Sequence, residues 1–336
     1  MTGLEAQALQ GFCARFGVSP PFDTERIRAG RNSEVLLVSN RQGRWILKHY
    51  YQHASDTRDR LGTEFEFLAF LQDSGVNRAP RPKGADHELG YGLYSFLPGA
   101  RPGVIGSGHI SQAADFVREI NRHRRSAGAE RLRNAADACM SWRDHLNLTE
   151  SRLAQLLATT PTAPLEFDAQ AFVRDQLLRF WAELKRTILG DVAEGELAAS
   201  LAPECRIISP SDFGFHNALE DAGDLSFVDF EYAGWDDPAK LICDFFCQPE
   251  LPVSADQGLQ FREELLGDWP DSDGVRRRVR HLLPVHRVKW CCIMLNEFKL
   301  EGRKRRSHAG IEPEGLLAGQ LRKAKQYFDT HLASTH

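Results

Sequence analysis

The chain is short of several things, and each shortage narrows what it can be. It has no apolar stretch approaching the ~18 residues that a membrane-spanning helix needs, so no membrane partner is expected. Its first residues, MTGLEAQALQGF, lack the basic head and sustained apolar run of a secretory leader. Seven cysteines, an odd number without such a leader, suit a reducing compartment, and the expected location is cytoplasmic. Neither sign of charge dominates: 42 basic against 46 acidic residues leave a net charge of −4, which argues against wholesale nucleic-acid binding. Cysteine patterns for a metal are thin as well. Cys243 and Cys247 are spaced for one helical face and Cys291 and Cys292 are adjacent, but free cysteine is most often simply buried, and burial is expected here.

What is present is an ordinary globular composition, 42% hydrophobic and 26% charged over 336 residues, with enough core for two lobes. The informative stretch runs from Ser209 to Trp235, SPSDFGFHNALEDAGDLSFVDFEYAGW. Leu225, Phe227 and Val228 read as a buried strand delivering Asp229 to its end, while Asp212 and Asn217 fall on a loop rich in glycine and aromatics. Three oxygen-bearing side chains are thereby expected to converge. Phosphoryl transfer from a nucleotide needs such a set: a carboxylate to orient the attacking hydroxyl and accept its proton, and hard oxygen ligands to hold Mg²⁺ against the phosphates. Asp212 suits the first task, Asn217 and Asp229 the second.

An Asp-x4-Asn pair alone arises readily by chance. The ordered set of Asp212, Asn217, a strand and Asp229-Phe230-Glu231-Tyr232-Ala233 is more specific. It resembles the catalytic and metal loops of the aminoglycoside phosphotransferase and choline kinase family, the small-molecule branch of the protein-kinase-like fold. That resemblance implies an α+β, two-lobed fold: residues 1–97 as a small antiparallel sheet with one main helix, and residues 98–336 as a large, mostly helical lobe. It also implies ATP or GTP with Mg²⁺ in the cleft and a small-molecule hydroxyl as acceptor. The chain departs from the family where the motif usually opens His-Gly-Asp; here Pro210, Ser211 and Asp212 hold those positions. The histidine normally braces the loop, so bracing is expected instead from the rigidity of Pro210 or from Ser211. His216, beside Asn217, is expected to support the loop and not to act as the base.

The N-terminal part must supply the partners. After a short leading helix and a Pro20-Pro21 turn, two strand-like runs are joined by Asn40-Arg41-Gln42-Gly43, turn residues that suit a hairpin. Ahead of the first run lies Gly30-Arg31-Asn32-Ser33, one glycine where a phosphate-covering loop commonly has three. It reads either as such a loop, with Asn32 and Ser33 as phosphate contacts, or as an ordinary β-turn. Lys48 sits in an apolar run and must snorkel out or find a counter-charge. A helix over 57–73 offers one, since its stripe of Leu61, Leu68 and Leu71 passes through Glu64; Glu66 falls on another face. In the kinase-like fold such a strand lysine and helix glutamate pair to hold the lysine toward the α- and β-phosphates; the other reading is a buried ion pair without catalytic duty. The segment YSFLPG resembles the family's lobe connector, which assigns the carbonyl of Ser95 and the amide of Leu97 to the nucleotide base, with Tyr94 lining the pocket.

Beyond the connector the apolar spacing predicts helices over 110–125, 141–158 and 168–189. Trp142, Arg143, Asp144, His145 and Trp181 are candidates for lining the acceptor site, against ordinary helix packing. Asp237 is placed to cap a helix with Pro238 at its first position. The family's supporting aspartate beneath the catalytic loop finds its nearest counterpart in Asp244. Two basic clusters, at Arg276–Arg278 with Arg280 and at Arg303–Arg306, read as solvated helix ends or as a patch for an acidic acceptor or RNA. The helix RVKWCCIMLNEF is expected in the core. Only seven residues separate Phe230 from Pro238, little room for a protein kinase's activation segment. The expected function is therefore Mg²⁺-dependent phosphate transfer from ATP or GTP to a small molecule, with a non-catalytic nucleotide-binding regulator as the alternative.

Overall fold

A computed structural model describes residues 3–27, 33–52, 58–299 and 315–333. It opens with α1 (Gly3–Arg15), followed by β1 (Asp23–Ile27), β2 (Ser33–Asn40), β3 (Gly43–Tyr50), α2 (Arg60–Asp73), β4 (Pro82–Asp86) and β5 (Tyr91–Ser95). The strands form one antiparallel sheet in the order β1-β2-β3-β5-β4. The Asn40–Gly43 turn joins β2 to β3 as expected, with Asn40 Oδ1 accepting from the Gln42 amide at 2.8 Å. Helix α2 starts at Arg60, later than the periodicity suggested, because the side chain of Asp59 caps it by accepting from the Gly62 amide at 2.8 Å.

The two faces of this sheet do different work. Residues directly opposite each other in an antiparallel pair share a face. Leu36, Val38, Trp45, Leu47, Tyr91 and Leu93 therefore point one way, where they bury Leu9, Phe12 and Cys13 of α1. On the other face Val35 pairs with Lys48 and Ser33 with Tyr50. That face looks toward α2 and the helical part of the chain.

The helical part contains α3 (Ser107–Arg122), the short α4 (Ala127–Glu130), α5 (Trp142–Leu157), α6 (Pro164–Phe172), a π turn (Val173–Leu177), α7 (Leu178–Asp191) and the short α8 (Glu194–Ala198). Small strands β6 (Ile207–Ser209), β7 (Ala218–Asp221), β8 (Asp224–Phe227) and β9 (Gly234–Asp236) follow, with β6 paired to β9 and β7 to β8. Helices α9 (Pro238–Cys247), α10 (Ala255–Leu266), α11 (Ser272–Met294) and α12 (Leu316–His331) complete it. A single large core runs from Leu61, Phe67 and Leu71 of α2 through α3 and α9 to α11 and α12. The helix predicted around Trp290 lies in that core as part of α11. Cys243, Cys247, Cys291 and Cys292 are buried free thiols, and the described residues contain no group of side chains arranged to hold a metal through them. No helix among the described residues is long and apolar enough to cross a membrane.

The chain passes from sheet to helices through residues 96–101. Ala100 exchanges two backbone hydrogen bonds with Glu220 of β7, and a Cβ on Gly99 would lie 2.6 Å from the Glu220 carbonyl oxygen. Glycine, at φ 109, is what lets the connector run so close to the loop that carries Asn217. Of the four arginines at 276–280, Arg276 pairs with Glu263, Arg277 with Glu196 and the buried Arg278 with Asp237, so three are spent on structure while Arg280 is exposed. Arg303, Lys304, Arg305 and Arg306 lie outside the described residues.

Phe12 is 1% exposed and touches Phe16 and Tyr91 edge-on, with ring centroids 5.1 and 5.5 Å away. Phe12→Ala is expected to cost roughly 3–5 kcal/mol in urea denaturation; a loss under about 1 kcal/mol would show that α1 is not an integral cover of the sheet.

Candidate active site

Lys48 reaches the inner face of β3 and is 9% exposed. Its Nζ donates to both oxygens of Glu64 at 2.8 Å and to Asp229 Oδ1 at 2.7 Å. Burial works to lower its pKa, but the charges of Asp229 and Glu64 outweigh burial and raise it well above the ordinary lysine value. The lysine is thus a permanent cation holding two carboxylates from elements far apart in sequence. Glu64 is fully engaged: it also accepts from Tyr50 Oη at 2.5 Å and from the Phe230 amide at 3.3 Å. Tyr50 bonds in turn to Tyr94 Oη at 2.8 Å. Tyr94, expected to line the pocket, is instead 2% exposed and packed behind the ion pair. Gly92 makes that room, because a Cβ there would lie 2.5 Å from the Tyr94 hydroxyl. Glu66 faces elsewhere and pairs with Arg133.

The loop after β6 presents Asp212. Strand β6 is pinned by Asn121, whose side chain accepts from the Ile208 amide at 2.9 Å and donates to the Ile208 carbonyl at 3.0 Å. Ser211 adopts a left-handed conformation, φ 63, and its amide donates to Ser209 Oγ at 3.0 Å. The side chain that meets the loop here is that of Ser209, with Ser211 contributing its backbone amide. The Asp212 side chain is 39% exposed, with His216 Nε2 only 3.3 Å from its Oδ1, although the angle does not make a hydrogen bond. Asn217 turns its Nδ2 back to donate to the Asp212 carbonyl at 3.0 Å, which leaves its Oδ1 outward. The Val228 amide donates to the Asn217 carbonyl at 2.9 Å, tying the two ends of the β7–β8 hairpin together. At the next residue the backbone turns left-handed, φ 71, and aims the carboxylate of Asp229 at Lys48. A non-glycine residue in that conformation is sustained by its surroundings, and such strain gathers at working sites.

Asp212, Asn217 and Asp229 line one cavity of about 210 Å³, the convergence that the sequence motif predicted. Ser33, on the same sheet face as Lys48, is 4% exposed and its Oγ has no hydrogen-bond partner among the described residues. Asn32 lies outside the described residues, with Gly30 and Arg31. Ser95 ends β5, with its amide donating to the Arg81 carbonyl at 2.9 Å. Leu97 is half-buried in the connector, and its amide makes no hydrogen bond among the described residues.

The acceptor-site candidates fall elsewhere. Trp142 and Trp181 are buried in the core, Arg143 pairs with Glu194, and Asp144 accepts from the Met140 amide. His145 is enclosed between Asp237 and His286. Helix packing, the bland reading, describes all five. Asp237 does cap α9, accepting from the Ala239 amide at 2.7 Å. Among the described residues, the bonds the structure shows for Asp244 run to α11 and Lys240 and not to the loop that carries Asp212. Asp244 Oδ1 accepts from His286 Nδ1 at 3.1 Å, Lys289 Nζ at 2.5 Å and Trp290 Nε1 at 2.8 Å, which ties α9 to α11 and turns the residue toward the cavity. Burial and the Lys289 charge push His286 down to about 3, so it stays neutral. Asp137, Arg152, Lys289 and Trp290 line the cavity and were missed in the sequence. The available signal was a lysine embedded in an apolar helix, the same signal that marked Lys48.

The chain belongs to the phosphotransferase enzyme family, whose model matches residues 23–280. Its structural neighbours are choline kinases and aminoglycoside phosphotransferases of the kinase-like fold. Among them, the choline kinase LicA from Streptococcus pneumoniae aligns with a TM-score of 0.62 at 13% identity, covering 98% of this chain and 100% of that one. A choline/ethanolamine kinase family protein from Mesorhizobium loti gives 0.60 at 17% identity, covering 99% and 97%. Spectinomycin phosphotransferase APH(9)-Ia, solved with ADP and spectinomycin, gives 0.60 at 12% identity, covering 95% and 98%. Comparison with curated protein sequences finds no significant match.

Glu231 lies beside this site, 4% exposed and 3.6 Å from Arg60 Nε. Burial, reinforced by the Asp229 charge, pushes its carboxyl up from 4.5 to about 7. Between those pH values the folded chain keeps a proton that the unfolded chain has released. The group's contribution to stability is therefore full below the unfolded pKa and is lost as the pH rises through about 7. Glu231→Gln should flatten the fall in Tm between pH 5 and pH 8, and an unchanged fall would reject the assignment.

Proposed function

We propose that the protein transfers the terminal phosphate of ATP or GTP to a hydroxyl of a small molecule. The observation that carries this reading is the bridge from Lys48 to Glu64 and Asp229, set in the same cleft as Asp212 and Asn217. Lys48, held in place by Glu64, meets the α- and β-phosphates. Ser33 offers its hydroxyl, unpartnered among the described residues, to the phosphates, with Asn32 beside it in the sequence. The Leu97 amide, without a partner of its own, and the Ser95 carbonyl take the base.

The donor set suits Mg²⁺. Asn217 Oδ1 and Asp229 Oδ2 accept no hydrogen bond among the described residues, and both are hard oxygens facing one cavity. When bound there, the ion would neutralise phosphate charge. Asp212, its side chain 39% exposed on the cavity wall, orients the acceptor hydroxyl and accepts its proton. As the new oxygen–phosphorus bond forms, the bond to the leaving nucleoside diphosphate breaks.

Asp212→Ala is expected to lower turnover by ~10²–10⁴ in nucleotide-consumption assays, with little change in nucleotide affinity. Undiminished turnover would refute Asp212 as the base. The Pro210-Ser211 approach to the loop favours one other reading, a nucleotide-binding regulator, which predicts binding without consumption of nucleotide by either protein. Metal binding is checked separately. Nucleotide at ~100 times its Kd should stabilise the protein by about 2.7 kcal/mol in a thermal-shift assay. The Mg²⁺-dependent part of that shift should vanish in Asp229→Ala; identical shifts in the two proteins would place the metal elsewhere.

A further inference from the structure

The deep end of the cavity carries its charge in matched pairs. Asp137, itself in a left-handed conformation at φ 57, accepts from Arg152, whose side chain is only 18% exposed. Across from it Asp244 is bonded to the buried Lys289, and Lys240 donates to Asp236 at 2.7 Å while lying 3.7 Å from Asp244 Oδ2. Glu250 and Glu297, the remaining carboxylates at that end, have interactions of their own. Among the described residues, the one cavity cation without a partner is Arg101, which follows the bridge from Ala100 to Glu220 at the connector end, beside the nucleotide region.

A cationic acceptor gains affinity where a carboxylate stands uncompensated. Here Asp137 and Asp244 each already face a cation at hydrogen-bond distance, and taking either over would strand Arg152 or Lys289 as an unpaired, largely buried charge. An anionic acceptor meets the mirror of that obstacle. Paired charges do supply what hydroxyl groups require: carboxylate oxygens that accept and N–H groups that donate, side by side. Tyr232 and Trp290 add ring surface to the same wall.

We propose that the acceptor is an uncharged polyhydroxylated molecule, a sugar or an alditol, and that Arg152 and Lys289 set this preference by neutralising Asp137 and Asp244. The inference rests on the phosphotransferase reading: one acceptor hydroxyl gives its proton to Asp212 and takes the terminal phosphate, and the nucleoside diphosphate leaves.

The test uses the full chain once a Mg²⁺-dependent nucleotide shift has been recorded. Nucleotide consumption is measured with uncharged hexoses, pentoses and alditols, with choline, ethanolamine and kanamycin, and with glucose 6-phosphate and glucuronate. At least one uncharged polyol is expected to exceed every charged compound by tenfold or more in kcat/KM. Arg152→Met, which frees the half-exposed Asp137, should bind kanamycin as an inhibitor of sugar turnover about tenfold more tightly than wild type, with the nucleotide shift intact. Lys289→Met tests the same effect at Asp244. A charged compound turned over best, no turnover with any uncharged polyol, or unchanged kanamycin inhibition in Arg152→Met would each overturn the proposal. A missing nucleotide shift would instead overturn the phosphotransferase reading on which it stands.

Discussion

One ammonium group holds the cleft in shape. Lys48 Nζ joins β3 to Glu64 of α2 and to Asp229 on the loop after β8, three segments far apart in sequence. A buried charge is tolerated only with partners, and here the partners are the parts of the site. Glu64 extends the constraint by accepting from Tyr50 and the Phe230 amide, while Phe67 of α2 packs on Phe230 with ring centroids 5.1 Å apart. The polar bridge and the apolar contact lie side by side, so the orientation of α2 and the direction of the Asp229 carboxylate are fixed together.

The helical part repeats this logic. Lys240 and Lys289 are almost wholly enclosed, and both lean on Asp244, with Asp236 completing the set. His286 and Trp290 add neutral donors to the same carboxylate. Burial raises the pKa of a carboxyl, yet the cations around Asp244, Lys289 foremost, hold it well below the ordinary range. This set of two lysines and two aspartates is consequently charged in detail and balanced in sum.

These two networks explain what could be read in the sequence and what could not. Lys48 and Glu64 were legible because each interrupts an apolar pattern with a fixed period, and the period itself states which face they occupy. Asp212, Asn217 and Asp229 were legible because a hairpin of few residues joins them, so sequence spacing maps onto distance. The rest of the cavity wall obeys neither condition. Asp137 and Arg152 are separated by the start of α5, and Asp244 meets Lys289 across two helices whose packing no local pattern encodes. Trp142 and Trp181 attracted attention as large aromatics, but large aromatics mostly go where the core is, and these did.

The way the charges are spent also limits what remains for chemistry. Lys48, Glu64, Asp236, Asp237, Lys240 and Lys289 are committed to one another or to backbone amides, and a group whose bonding is complete cannot change partners cheaply. Against that background four polar atoms stand out as having no hydrogen-bond partner among the described residues: Ser33 Oγ, the Leu97 amide, Asn217 Oδ1 and the second oxygen of Asp229. Leu97 lies in the connector, Ser33 on the inner sheet face, and the last two on the loops lining the cavity. A folded chain leaves polar groups unpartnered in a partly enclosed place at a cost to its stability. A ligand rich in acceptors and bearing a divalent counter-ion would offset that cost, so the incomplete part of this network, more than its complete part, is the place the proposed nucleotide and metal would occupy.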